Sequence, residues 1–176
     1  HSDQNNISYS SGDAANSFNF TAFRLDQTGI VPKDKYNKTQ FRVSGTKTAG
    51  IFKVDATASF SQGNTDTYGN YGDILSTIFN TPSWVPLQNY KDPTKPFADP
   101  STYFNSYGIN PYWSINNSRI TKRTDVFNGS FNGIITPTKW FDGTYRLSYN
   151  GGTYQEQNRR AEIDYTPYAL SDPTHG

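Results

Sequence analysis

From Phe52 to Phe60 the chain alternates without a break. Phe52, Val54, Ala56, Ala58 and Phe60 fall on one side, and Lys53, Asp55, Thr57 and Ser59 on the other. A period of two is the signature of a β-strand with one apolar and one wet face. The same pattern returns at 141–149, where Phe141, Gly143, Tyr145, Leu147 and Tyr149 oppose Asp142, Thr144, Arg146 and Ser148. It returns at 127–133, with Phe127, Gly129, Phe131 and Gly133 on one side, and again around Phe41 and Val43 and around Phe18 and Phe20. Ile7 and Tyr9 begin a further strand. The pattern predicts about six strands.

The connections alternate in length. Short turns are expected at 11–16, 46–50 and 136–140. A longer link with Pro32 runs from Gly29 to Asn37, and a very long one from about Asn64 to Arg119. Antiparallel strands with tight turns at one end and large loops at the other have this order, as in outer-membrane barrels. Within the long link, Asp73 to Phe79 reads as a short helix with Asp73 as N-cap, ended by Pro82 and Pro86.

Composition narrows the class. Hydrophobic residues make up only 33 % of the 176, which alone would suggest disorder. Aromatics make up 16 %, with 13 Tyr, 12 Phe and 3 Trp, and supply the rigid apolar surface that disorder lacks. Net charge is +1 with no basic run, so no nucleic-acid partner is indicated. The absence of Cys excludes disulfides and thiolate metal sites. No apolar run is long enough for a transmembrane helix.

Alternation also suits a soluble sandwich, whose apolar faces turn inward. Strand length favours the membrane. The clean pattern reaches nine residues at 52–60, close to the ~9–11 a tilted barrel strand needs and beyond the ~5–6 of soluble strands. Phe52 and Phe60 bracket small Ala56 and Ala58, as aromatic girdles would. The expected fold is therefore all-β, an antiparallel transmembrane β-barrel. It is partial, because about six strands leave bare edges where small barrels need about eight. Residues 1–176 are expected to form part of one barrel domain within a longer chain. Phe52, Val54, Ala56, Ala58 and Phe60 are expected to face lipid; Lys53, Asp55, Thr57 and Ser59 are expected to face the lumen.

Three segments, in order, resemble a known family. Arg24-Leu25-Asp26-Gln27-Thr28-Gly29-Ile30-Val31-Pro32 resembles the "DQ-x-G-I-V-P" segment of SusC/RagA-type TonB-dependent transporters. Thr81-Pro82 with Val85-Pro86 resembles their "TPP-x-x-P" segment. Asn110-Pro111-Tyr112-Trp113 with Asn116-Asn117 resembles their "NPYW…NN" segment. The resemblance covers nearly the whole chain. It implies a wide barrel of about 22 strands, in the bacterial outer membrane, closed by a plug and capped by a SusD-like surface lipoprotein. Such importers take up oligosaccharides or peptides with energy passed on by TonB of the inner membrane. This chain matches an early stretch of the wall. It carries no recognisable plug or TonB box, so no energy-coupling residue carries over.

In the long link, Trp84, Tyr107, Tyr112 and Trp113 are candidates for substrate contact, since exposed rings stack on sugars or side chains. The ordinary reading is that they pack the loop down. Asn64, Asp66, Asn70 and Asp73 make an oxygen-rich cluster, but Leu75 stands where a calcium loop needs its acid. No metal or other cofactor is expected. Glu156, Glu162, Asp164, Arg159 and Arg160 could be read as glycosidase groups, yet no pocket is in sight and they fit exposed strand ends better. His1 and His175 are far apart and suggest no catalytic pair. The leading expectation is a non-catalytic wall segment. A soluble carbohydrate-binding β-domain using loop aromatics is the alternative, and a glycan-cleaving enzyme a third class.

Overall fold

The computed structural model describes residues 1–92, 94–95, 103 and 109–162. Six strands follow one another in a single sheet whose spatial order is the chain order. They are β1 (Ser2–Gly12), β2 (Asn16–Thr28), β3 (Lys35–Ala49), β4 (Phe52–Thr67), β5 (Ser118–Thr138) and β6 (Phe141–Arg160). Among the described residues, two short α-helices lie between β4 and β5, α1 (Tyr71–Phe79) and α2 (Pro111–Asn117), with a 3-10 turn at Leu87–Lys91. The fold is all-β, and the sheet is open, with β1 and β6 at its edges.

β1 and β2 pair antiparallel with Tyr9 opposite Phe20, and β2 and β3 with Phe20 opposite Val43. Further along the sheet, side-chain bonds mark the registers. Thr46 and Asn37 of β3 bond Asp55 and Asn64 of β4, equally spaced in opposite directions. Asn132 and Asn128 of β5 bond Arg146 and Asn150 of β6 in the same manner. Sequential antiparallel neighbours need only tight turns on one side. Asp13 makes the first: its Oδ1 accepts from the backbone N–H of Ala15 (2.8 Å) and of Asn16 (2.7 Å). Gly50-Ile51 makes the second. Gly50 has φ +58° at the first central position, the place where a type II′ turn requires glycine.

The strands outrun the clean alternation. β4 continues to Thr67 and β5 begins at Ser118, so the long link is shorter than the expected 64–119. The reason is that both faces turn polar past Phe60, through Gln62, Asn64 and Asp66, while the backbone ladder continues.

By contacts the residues form two compact units. The sheet unit comprises His1–Gly29, Lys35–Thr65 and Lys122–Glu156. The link unit comprises Ile30–Asp34, Asp66–Thr121 and Gln157–Gly176. Every buried side chain among the described residues belongs to the link unit. Its core is Tyr68, Ile74 of α1 and Ile115 of α2, with Val31 packed against them. α1 begins earlier than expected. Asn70, not Asp73, occupies the N-cap position, and Asp73 sits in the first turn, accepting a bond from the Asn70 amide. An acid there suits the helix dipole as well as a cap would. α2 has a clear start: the Asn110 side chain accepts from the backbone N–H of Tyr112 (3.0 Å), and Pro111 follows at the first position.

Candidate functional site

The sheet unit has two unlike faces. One carries Ile7 and Tyr9 of β1, Phe18, Phe20 and Ala22 of β2, and Phe41 and Val43 of β3, aligned by register. It continues through Phe52, Val54, Ala56, Ala58 and Phe60 of β4, then Phe127 and Phe131 of β5, then Phe141, Tyr145, Leu147 and Tyr149 of β6. Most of these side chains are exposed; Ile7 is 69 % exposed and Tyr145 63 %. Rings lie down on this face. Phe127 covers Gly129, Phe131 covers Gly133, and Tyr149 covers Gly151, each two residues along its own strand. A glycine between strand neighbours leaves room for the ring to fold flat, which smooths the surface.

The other face is polar and hydrogen-bonded across strands. Thr46 donates to Asp55 (2.8 Å), Asn132 donates to Asp55 (3.2 Å), and Arg146 donates to Asn132 (3.2 Å), joining β3 to β6. Asn19 donates to Ser10 (2.7 Å) between β2 and β1. Along β4, Asp55, Thr57 and Ser59 are half-buried, as is Val54, while Lys53, Ala56, Ala58 and Phe60 are exposed. No apolar residue of this face is buried, unlike the inner face of a sheet folded over a core.

The apolar face ends abruptly. Just beyond it on the same side, Arg24 donates to Thr39 (2.8 Å) and pairs with Asp26, and Asn64 donates to Asn37 (3.0 Å). Gln62 and Arg123 both donate to Asp125 (2.9 Å each). This polar row crosses β2 to β5. At the opposite border, next to the short turns, Ile51, Phe52, Trp140 and Phe141 are all exposed.

The link unit is organised by one buried ion pair that has no signature in the sequence pattern. Asp34 follows the Gly29–Pro32 turn, where Lys33 takes φ 71°. Its carboxylate is 4 % exposed and accepts from Arg119 Nη1 (3.0 Å), from the Tyr68 backbone N–H (3.0 Å) and from the Tyr71 hydroxyl. Arg119 also donates to the Asp66 carboxylate (2.9 Å) and to the carbonyls of Lys33 and Asp66 (2.9 Å each). One guanidinium thus ties the turn before β3, the end of β4 and the start of β5. Burial, and then its bond to Asp34, raises the Tyr71 phenol above its ordinary value and keeps it a donor.

Residues of the three resembling segments hold the link unit at other points. Val31 joins the core. Thr81 caps the end of α1 by donating to the Thr77 carbonyl (2.6 Å) and contacts the Tyr103 hydroxyl (3.1 Å). Val85 is buried. Asn110 is 1 % exposed and donates to the Tyr90 carbonyl (2.9 Å).

A cleft of about 340 Å³ opens between α1 and α2, lined by Tyr68, Asn70, Asp73, Ile74, Ser76, Thr77, Ile109, Pro111, Trp113, Ser114, Ser118 and Arg160. Of the candidate aromatics, Trp113 lines this cleft, Tyr112 is half-buried on the same helix, and Trp84 is 77 % exposed away from it. Tyr107 lies outside the described residues, as do Asp164 and His175. The oxygen-rich cluster is spread over protein partners: Asn64 on Asn37, Asp66 on Arg119, Asn70 on Asp73. Among the described residues no group of acids or histidines could hold a metal ion. Glu156 pairs with Lys122 (3.4 Å) and the Tyr154 hydroxyl, and Glu162 is exposed. No helix among the described residues is long and apolar enough to cross a membrane, which says nothing of strands. No family model and no curated protein matches this sequence.

Proposed function

We propose that this chain is a section of the wall of a bacterial outer-membrane β-barrel, its apolar face against lipid and its polar face toward the lumen. The observation that carries this reading is the uncovered apolar face of the sheet. Aromatic and aliphatic side chains stand exposed across all six strands, while the opposite face is polar and hydrogen-bonded from strand to strand. In water each half-exposed ring would forfeit roughly 1 kcal/mol of burial. Summed over the face, that is comparable with the ~5–15 kcal/mol net stability of a whole domain. Lipid removes the cost without a protein partner.

The dimensions agree. Phe52 to Phe60 rises about 26 Å along the strand, or roughly 20 Å at a barrel tilt of about 40°, most of an apolar band ~25 Å tall. The polar row from Arg24 to Asp125 would meet headgroups on one side, and Trp140 and Phe141 would sit in the other interface. The open edges β1 and β6 would be paired by further strands.

Resemblance of three ordered segments extends the proposal to a SusC/RagA-like, TonB-dependent importer of oligosaccharides or peptides. It would work with a SusD-like lipoprotein, the coupling to TonB lying outside these residues. In this role the chain has no chemistry of its own. Cell fractionation tests the reading. The parent protein is expected in the detergent-extracted outer-membrane fraction, and recovery in the soluble fraction would overturn it. A soluble carbohydrate-binding domain, the alternative, would need protein to cover the whole aromatic face.

A further inference from the structure

We infer that the cleft between α1 and α2 is a binding site for a neutral saccharide. The inference stands on the link unit alone; only its meaning as cargo recognition rests on the importer reading.

The cleft volume of about 340 Å³ falls at the small end of ligand pockets, ~300–1,000 Å³. Its walls combine two chemistries. Trp113 supplies an indole ring of the kind that stacks on the C–H face of a sugar, beside Ile109 and Pro111. The other lining groups are mostly neutral hydroxyls and amides, among them Asn70, Ser118 and the Tyr68 phenol. The two charges, Asp73 and Arg160, are of opposite sign, so the cleft favours neither an anion nor a cation. A ligand complementary to this lining is neutral, rich in hydroxyls and flat on one side.

The polar groups are set before a ligand arrives. Asn70 bonds Asp73, fixing two planar side chains side by side where α1 begins. Planar amides and carboxylates can take two vicinal hydroxyls at once. Tyr68 is buried, and burial followed by the Asp73 charge raises its phenol, so it remains a donor at neutral pH. Prepaid ordering of this kind is what lets a small site bind. A peptide would instead require unpaired backbone partners or a deep apolar pocket for a side chain, and the lining offers mainly hydroxyls.

The test uses the parent protein purified in detergent micelles and follows binding by isothermal titration calorimetry; Trp113→Ala removes the ring that lines the cleft. The probes are maltose-, cellobiose-, xylose- and mannose-series oligosaccharides, with alanine and glycine peptides as the competing class. The expected result is a saturable heat of binding with at least one oligosaccharide series and none with peptides, reduced in Trp113→Ala. Asn70→Ala or Asp73→Asn should weaken that binding about tenfold, the scale of one lost hydrogen bond. The inference is overturned if no oligosaccharide binds, if peptides bind equally, or if Trp113→Ala, Asn70→Ala and Asp73→Asn all bind as before. Binding by a chain that fractionates as soluble would sink the wall reading and leave the cleft. A membrane-bound chain that ignores every sugar would do the opposite.

Discussion

Replacing Arg119 with methionine is expected to loosen the link unit while leaving β1 and β2 intact. The guanidinium makes four bonds, to the Asp34 and Asp66 carboxylates and to the Lys33 and Asp66 carbonyls. Their worth differs. The Asp66 side chain is about half exposed, so losing that pair costs under ~1 kcal/mol. Asp34 is buried, and without Arg119 its carboxylate keeps only Tyr68 N–H and Tyr71 as partners, with no counter-charge. Breaking one side of a buried pair costs ~3–5 kcal/mol. The assay is hydrogen exchange at the Tyr68 amide, which donates to Asp34. A 3 kcal/mol loss should speed its exchange by about a hundredfold, with β1 and β2 amides as internal reference. Asp34→Asn added to Arg119→Met removes the stranded charge and should recover about 2 kcal/mol. Acceleration below about fivefold, or no recovery in the double variant, would refute the reasoning.

Other outcomes follow from the same contacts. Gly69→Ala would place a methyl 2.4 Å from Ile120 Cδ1, and the link unit should lose ~1–3 kcal/mol in thermal unfolding; an unchanged midpoint would show that Ile120 moves freely. Ala58→Arg should cost ~2–4 kcal/mol in urea unfolding from lipid vesicles, and Ser59→Arg much less; equal costs would mean that the two faces share one environment. Asp13 is held below the ordinary Asp value by the Ala15 N–H, then by the Asn16 side chain and N–H. A depressed folded value means that the turn's contribution is full above ~3.9 and is lost as pH falls through the folded value. A carboxyl-carbon NMR titration should find that midpoint below an ordinary Asp, and a midpoint at or above it would contradict the turn geometry.

How much of this was legible in the sequence depends on whether a residue's role is periodic. The two faces of β4 and β6 could be read because apolar and polar residues alternate there without error. The strand ends could not. At Gln62, Asn64 and Asp66, or Arg123 and Asp125, both faces are polar, and only backbone pairing extends the strand. The short turns and the single long link were legible from breaks in the period. The pattern places a helix at Asp73–Phe79 but starts it too late, since Asn70 and Asp73 are both reasonable caps and tertiary packing of Tyr68 and Ile74 decides between them. α2 carries a helix-start signal in Asn110-Pro111, but its seven residues are too few to show a period. The Asp34–Arg119 pair had no signal at all, because its partners are far apart in sequence and a charged residue at a strand end ordinarily means a solvated one. The cleft is likewise out of reach: Trp113 is a candidate, but nothing in the sequence sets Tyr68 and Arg160 beside it.

The central claim is that the apolar face of the sheet meets lipid. This chain contains no Cys, so single cysteines can be placed along β4 without background from it. The direct measurement is labelling of residues 52 to 60, one at a time, with a membrane-impermeant maleimide in intact outer membranes. Positions 53, 55, 57 and 59 should react through the lumen, while 54, 56 and 58 should stay protected until detergent is added. Labelling of the even positions with protection of the odd ones, or equal labelling of both sets, would contradict the account.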